Sequence, residues 1–178
     1  KKGKKGGKKA DADIDDMEKM IDGYLTFARG EGDEVAVETD LTTLIEDLVM
    51  GWRRNNAAID YHVEGQIKAW MKPRALQRCL DNLIANANRY GEHVWVRVGK
   101  RDDMTEIIID DDGPGIPEDM RDDVFRPFFR LDESRNLETG GTGLGLSIAQ
   151  DIVHGHGGEI SLGESPAGGL RVLIRIPI

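Results

Sequence analysis

Three stretches of this 178-residue chain set side chains capable of chemistry at close, ordered intervals. In DDDGPGIP (Asp110 to Pro117) carboxylates lead into glycines, and glycine lets a backbone turn sharply and approach a ligand closely. A carboxylate fixed at such a turn, Asp111 or Asp112, can accept a hydrogen bond from an amino group. A calcium loop is the rival reading, because Asp110, Asp112 and Gly115 fall at its first, third and sixth positions. It fails at the twelfth, where Arg121 replaces the bidentate Glu. Taken alone, the segment reads first as a solvated acidic turn.

In GGTGLGLSIAQDIV (Gly140 to Val153) glycines run into a helix whose exposed N–H groups could hold phosphate oxygens. It is not a Walker loop, since Leu146 stands where that loop needs Lys. Nor is it a dinucleotide fingerprint, since Ile148 replaces the third glycine and no strand precedes it. By itself it could be a flexible loop capping a helix. In DNLIANANRY (Asp81 to Tyr90) Asn82 and Asn86 lie one helical turn apart on an otherwise apolar face. Two carboxamides there are costly unless satisfied, so a structural capping role is the plain alternative. A carboxamide oxygen is also a hard ligand for Mg²⁺, Arg89 can meet phosphate, and Tyr90 offers a ring to a base.

The elements that must hold these groups can be read from periodicity. Apolar residues at Ile14, Met17, Ile21, Tyr24 and Ala28 form a two-heptad seam whose stripe needs a partner helix. After GEG (Gly30 to Gly32) a helix capped at Thr39 or Asp40 carries Leu41, Leu44, Ile45, Leu48, Val49 and Trp52 on one face. Strands are expected at 58–64 and 67–71, then a helix from Pro73 to Tyr90. HVWVRV (93–98), Ile107 to Ile109, Glu159 to Gly163 and the alternation from Leu170 to Ile176 complete the strands. A short helix near 117–125, an irregular stretch from 126 to 141 and a helix over 142–154 lie between them. The pattern predicts an α+β two-layer sandwich, a mixed sheet with helices on one face, preceded by one dimerisation-type helix.

Charge narrows the partners. The chain carries 24 Lys and Arg against 33 Asp and Glu, and six of the Lys lie in residues 1–9. The rest is therefore near −15, which repels nucleic acid unless it hides a local basic groove, and no stretch reads as one. The Lys/Gly run (residues 1–12 with its flank) is read as a cloning scar or disordered tail. Cys79 is the single cysteine, which excludes an internal disulfide and fits a reducing compartment. With neither a signal-peptide pattern nor an apolar run of about 20 residues, a cytoplasmic setting is the expectation.

Taken in chain order, with FRPFFR (Phe125 to Arg130) between DDDGPGIP and the Gly140 cluster, the three clusters resemble the ATP-binding catalytic domain of bacterial sensor histidine kinases, of the GHKL or Bergerat fold. DNLIANANRYG resembles the N box, DDDGPGIP the first glycine box, FRPFFR the F box and GTGLGL the second glycine box. NRYG and FARGEG are most similar to osmosensing kinases of the EnvZ type. The resemblance implies a catalytic domain over 33–178, and over 13–32 the second helix of a dimerisation and phosphotransfer domain whose first helix is missing.

By that resemblance Asn86 coordinates Mg²⁺, Asn82 and Arg89 face the phosphates, Tyr90 packs on adenine and Asp111 accepts from its amino group. Gly113, Gly115 and Ile116 shape the pocket. Arg130, Leu131, Thr142, Gly143, Leu144, Gly145 and Leu146 form the phosphate side, with 131–141 a mobile lid. The implied cofactors are ATP and Mg²⁺. The implied partners are a second protomer's dimerisation helix and a response regulator's receiver domain, in a parent anchored in the bacterial inner membrane. Gyrase-, Hsp90- and MutL-like ATPases share the fold but place Glu one turn before the Mg²⁺-binding Asn, where this chain has Asn82, a poor general base. None of His62, His93, His154 and His156 sits in the phosphoacceptor pattern, so the chain is expected to bind Mg-ATP without phosphorylating itself. A non-catalytic nucleotide-sensing or dimerisation module is the alternative.

Overall fold

The structure is a computed structural model that describes residues 18, 21, 22, 24, 25, 33–131 and 143–178. Most of the seam at 13–29 and the stretch 132–142 lie outside these residues. Glu18, Ile21, Asp22, Tyr24 and Leu25 are helical. No helix among the described residues is long and apolar enough to cross a membrane.

Strand β1 (Val37–Asp40) leads directly into helix α1 (Leu41–Arg54). Asp40 accepts from the N–H groups of Thr42 (3.0 Å) and Thr43 (3.4 Å) and so satisfies two donors that the first turn leaves orphaned. Those bonds, with Gln66 donating to the other oxygen as the leading cause, hold its carboxyl below the ordinary value. Arg53 and Arg54 in the last turn complement the helix dipole. Strands β2 (Ile59–Val63) and β3 (Lys68–Met71) follow, then helix α2 (Pro73–Tyr90) with proline in the first turn. Lys72 at the N-cap offers no acceptor, and Glu34 supplies one from 40 residues away: its carboxylate takes the N–H groups of Arg74 (2.8 Å) and Ala75 (2.9 Å).

Strands β4 (Val94–Arg101) and β5 (Met104–Asp111) form a hairpin, and helix α3 (Gly145–Gly155) precedes the closing strands β6 (Glu159–Glu164) and β7 (Leu170–Pro177). The main sheet has the order β2-β4-β5-β7-β6, with β2 and β4 parallel and every other pair antiparallel. One face of the sheet presents Val94, Val96, Val98, Ile107, Ile109, Val172, Ile174 and Ile176, all buried against the helices. Alternate residues on the same strands, among them Trp95, Arg97, Asp110 and Arg171, stand on the other face. The result is the expected two-layer α+β sandwich.

Three expectations need correction. The strand at 67–71 does not join the main sheet; it pairs antiparallel with β1, which the sequence reading did not foresee, and forms a separate two-stranded ribbon. The short helix near 117–125 is two 3₁₀ turns, Glu118–Met120 and Asp123–Phe125, because a segment this short between Pro117 and Pro127 cannot propagate α-helical bonding. The last helix starts at Gly145 and not at 142, since Gly143 has φ +73° and cannot be helical.

α3 runs antiparallel to α2. Gly145 at its start lies beside Asn82, while His156 just past its end reaches Lys72 at the start of α2. His156 Nε2 accepts from the Lys72 N–H (3.0 Å) and Nδ1 donates to the Ile152 carbonyl (2.7 Å), a pairing that requires the neutral imidazole.

Candidate functional site

The sequence-predicted residues converge where α2, the end of β5 and the start of α3 meet. A cavity of about 480 Å³ opens there, within the range of small-molecule sites. Asn82, Asn86, Arg89 and Tyr90 enter it from the C-terminal half of α2. Asp111 closes the strand side, followed by Gly115 and Ile116. Arg130 and Leu131 line it from the segment after the 3₁₀ turns, and Gly143, Gly145 and Leu146 from the glycine-rich entry to α3. Thr142 lies outside the described residues.

Two predicted residues do not line the cavity. Gly113 lies behind it, where a Cβ would meet the Tyr90 carbonyl group at 2.7 Å, so its role is to let the β5 turn pass under α2. Leu144 turns its side chain into the core, 3% exposed. Conversely, the sheet supplies an apolar floor that the motifs did not announce: Ile109, Leu170 and Val172, with Val124 and Phe129 at the side. The strand alternation of β7 carried that signal, since residues of its buried face must end somewhere and two of them end at the cavity.

The hydrogen bonds of Asp111 and Asp112 set the two carboxylates apart. Asp112 is exposed and uses one oxygen to accept from the N–H groups of His93 (2.9 Å) and Glu92 (2.7 Å), which holds its carboxyl below the ordinary value. Asp111 is 4% exposed; its Oδ1 accepts from Gly113 (2.9 Å) and Leu170 (3.1 Å). Its Oδ2 has no protein partner among the described residues. Burial pushes the Asp111 carboxyl up, the two backbone bonds oppose this, and the charges of Asp112 and Asp110 add to the rise. A carboxylate with one oxygen fixed by backbone and the other free is a rigid acceptor for an amino group.

At the other end, the Asn82 Nδ2 group is buried without a hydrogen-bond partner among the described residues. A buried donor left unpaired costs about 1–3 kcal/mol, so its persistence points to an acceptor from a ligand. Among the described residues Asn86 Oδ1 meets only Arg89, at 3.5 Å. No group of three His, Cys, Asp or Glu among the described residues could hold a metal by itself. The donor set therefore fits a divalent ion only as Mg²⁺ is often held, by one protein oxygen plus phosphate oxygens and waters. Among the described residues no side chain caps α3, and Gly145 and Leu146 of its first turn line the cavity, where helix-start N–H groups can meet anionic oxygens.

The entry to α3 is tied to the segment after the 3₁₀ turns by one backbone bond, Phe128 N–H to the Gly143 carbonyl (2.9 Å). Both residues are left-handed, φ +65° for Phe128 and +73° for Gly143. Glycine takes this conformation freely, and phenylalanine only under strain of about 1–2 kcal/mol. Phe128 and Gly143 stand on either side of the 132–142 stretch.

The description of histidine kinase-, DNA gyrase B-, and HSP90-like ATPases matches residues 71–178. The sensor histidine kinase GtrS of Pseudomonas aeruginosa is 34% identical over 173 residues, 93% of this chain and 34% of that protein. The sensor histidine kinase CpxA of Escherichia coli is 45% identical over 109 residues, 60% of this chain and 23% of that protein. The solved histidine kinase domain of the Escherichia coli osmosensor EnvZ superposes with a TM-score of 0.64 at 32% identity, covering 82% of this chain and 91% of that one. The chain spans about a third or less of the length of these two curated relatives.

Proposed function

The chain belongs to the histidine kinase-, DNA gyrase B-, and HSP90-like ATPase family, as a sensor histidine kinase catalytic domain, and from that premise we propose that it binds Mg-ATP for phosphoryl transfer to a histidine that it does not itself carry. The observation that supports this reading is the convergence of the Asp111 carboxylate, the Asn86 carboxamide and the start of α3 on one cavity. Asp111 would select the adenine amino group, and Tyr90, 45% exposed at the rim, would cover the base. Asn82 and Arg89 would meet the phosphates with the N–H groups of Gly145 and Leu146, while Arg130 and Leu131 would close the phosphate side.

Asn86 would hold Mg²⁺, which when bound neutralises charge on the triphosphate. A chain body near −15 needs such neutralisation to retain a polyanion. The residues' own work is to orient the terminal phosphoryl group and exclude water from it. Kinase rather than hydrolase is favoured because the position one turn before Asn86 is Asn82, which cannot deprotonate a water. In the longer protein, residues 13–32 would be the second helix of a dimerisation domain, 33–178 the catalytic unit, and the acceptor histidine would pass the phosphoryl group to a response regulator's aspartate.

Calorimetry of Mg-ATP binding to the chain and to Asn86→Ala tests the site. At least about a tenfold loss of affinity in the variant is expected; equal affinity overturns the metal assignment. Labelled ATP should leave no acid-labile phosphoprotein on this chain.

A further inference from the structure

The helices cover one face of the five-stranded sheet, and the other face carries a groove of about 470 Å³ between β2, β4, β5 and the turn after β6. Tyr61, Trp95, Pro166 and Ala167 give it apolar walls, and Arg97 lies in its floor beside the buried Asp110. The ion pairs around Arg97 do not balance. Asp110 already receives Arg171 through two bonds, 2.7 and 2.8 Å. Glu64 is closed by Arg101 through two more, 2.7 and 3.0 Å. Asp60 is shared by Arg53 (3.3 Å) and His93 (2.9 Å). Arg97 keeps a single 3.4 Å contact to Asp110, and its side chain is 51% exposed.

We propose that this groove is a docking surface for a segment of a partner protein that presents one carboxylate flanked by apolar side chains. The carboxylate meets Arg97, which every neighbouring acid leaves as the surplus cation, and the flanking side chains cover Trp95 and Pro166. Trp, Tyr and Arg are the residues over-represented where protein partners bind most strongly, and all three meet here, in a chain with only three Trp and three Tyr. A guanidinium beside an apolar wall forms a stronger pair with a carboxylate than one in open solvent, because less water competes. The groove lies on the face opposite the cavity at α2 and α3, so a docked segment leaves that cavity open.

The test uses the full chain, ¹⁵N-labelled and without nucleotide, so that its failure and a failure of the ATP reading are distinguishable. The peptides acetyl-Leu-Glu-Leu-amide and acetyl-Leu-Gln-Leu-amide are titrated while the Trp95 indole N–H resonance is followed. Saturable movement with the Glu peptide, in the range of about 1 mM, is expected, with the Gln peptide at least about fivefold weaker. Arg97→Gln should lose the same factor for the Glu peptide. Arg175→Gln should stay within about twofold, because Arg175 is as exposed (52%) but paired one to one with Glu106 at 3.0 Å. No saturable shift, equal binding of the two peptides, or an equal loss in the Arg175 variant overturns the proposal.

Discussion

Asp111 and Leu170, 59 residues apart, are joined by a 3.1 Å bond from the Leu170 N–H to Asp111 Oδ1. The start of β7 thereby fixes the carboxylate that faces the cavity, and Asp111→Asn separates fold from binding. The amide oxygen can keep the two backbone bonds, while its NH₂ group would oppose an incoming amino group. ATP affinity should fall at least about tenfold, the scale of a lost charge-assisted bond. Because burial raises this carboxyl, its contribution to stability is full at low pH and is lost as pH rises through its folded value. The variant should therefore melt no lower than the parent at neutral pH. In the parent, ATP binding should fade on acidification above the ordinary carboxylate range. A melting temperature several degrees lower in the variant would contradict this account.

Glu34 ties the approach to β1 onto the start of α2 through its bonds to Arg74 and Ala75. Glu34→Ala should cost about 1–2 kcal/mol, the upper range of a lost cap, and lower the melting temperature by a few degrees. Hydrogen exchange at the Arg74 and Ala75 amides should accelerate. Unchanged protection at both amides would show that the cap is not formed in solution.

Trp52 Nε1 donates to Asp81 Oδ1 at 3.0 Å and links α1 to α2. Burial raises the Asp81 carboxyl, and the Trp52 bond only partly opposes it. Its stabilising contribution is accordingly complete at low pH and disappears as pH rises. Asp81→Asn should gain stability relative to the parent between the ordinary carboxylate range and neutrality, with little difference below it. Denaturant midpoints measured across that interval check the direction, and parallel pH profiles would refute it.

Gly169 and Gly163 make a matched pair. A Cβ on Gly169 would strike the Asp111 side-chain and backbone oxygens and reach within 2.6 Å of the Gly113 nitrogen, whereas one on Gly163 meets nothing within 4 Å. Gly169→Ala should lose at least about 2 kcal/mol together with ATP binding. Gly163→Ala should be neutral or stabilising by up to about 1 kcal/mol. Urea unfolding of the two variants decides it.

Much of this arrangement was legible in the sequence because local chemistry dictated it. Pro73 opens α2 and the apolar repeat carries it to Tyr90, so Asn82 and Asn86 had to share a face. Val94, Val96 and Val98 had to share the buried side of a strand. What could not be read depends on long-range pairing. β1 is four residues long, and only its antiparallel match to β3 makes it a strand. The choice of Asp111 over Asp112 rests on backbone donors from Glu92 and His93 on one hand and Leu170 on the other, which no spacing within DDDGPGIP encodes. The apolar floor under the cavity likewise comes from β7, nearly 60 residues from the motif it supports.

The His156 imidazole joins the last turn of α3 to the first residue before α2, which gives the two helices the mechanics of tongs. They are riveted where α3 ends and α2 begins, and Gly145 at the start of α3 faces Asn82 midway along α2 to form the jaws. The rivet opposes sliding of one helix along the other more than a small rotation about it. His156→Ala would remove the rivet and leave the helices held by their shared core and by Cys79 Sγ at 3.7 Å from the Ala149 carbonyl, with every residue that grips the contents in place.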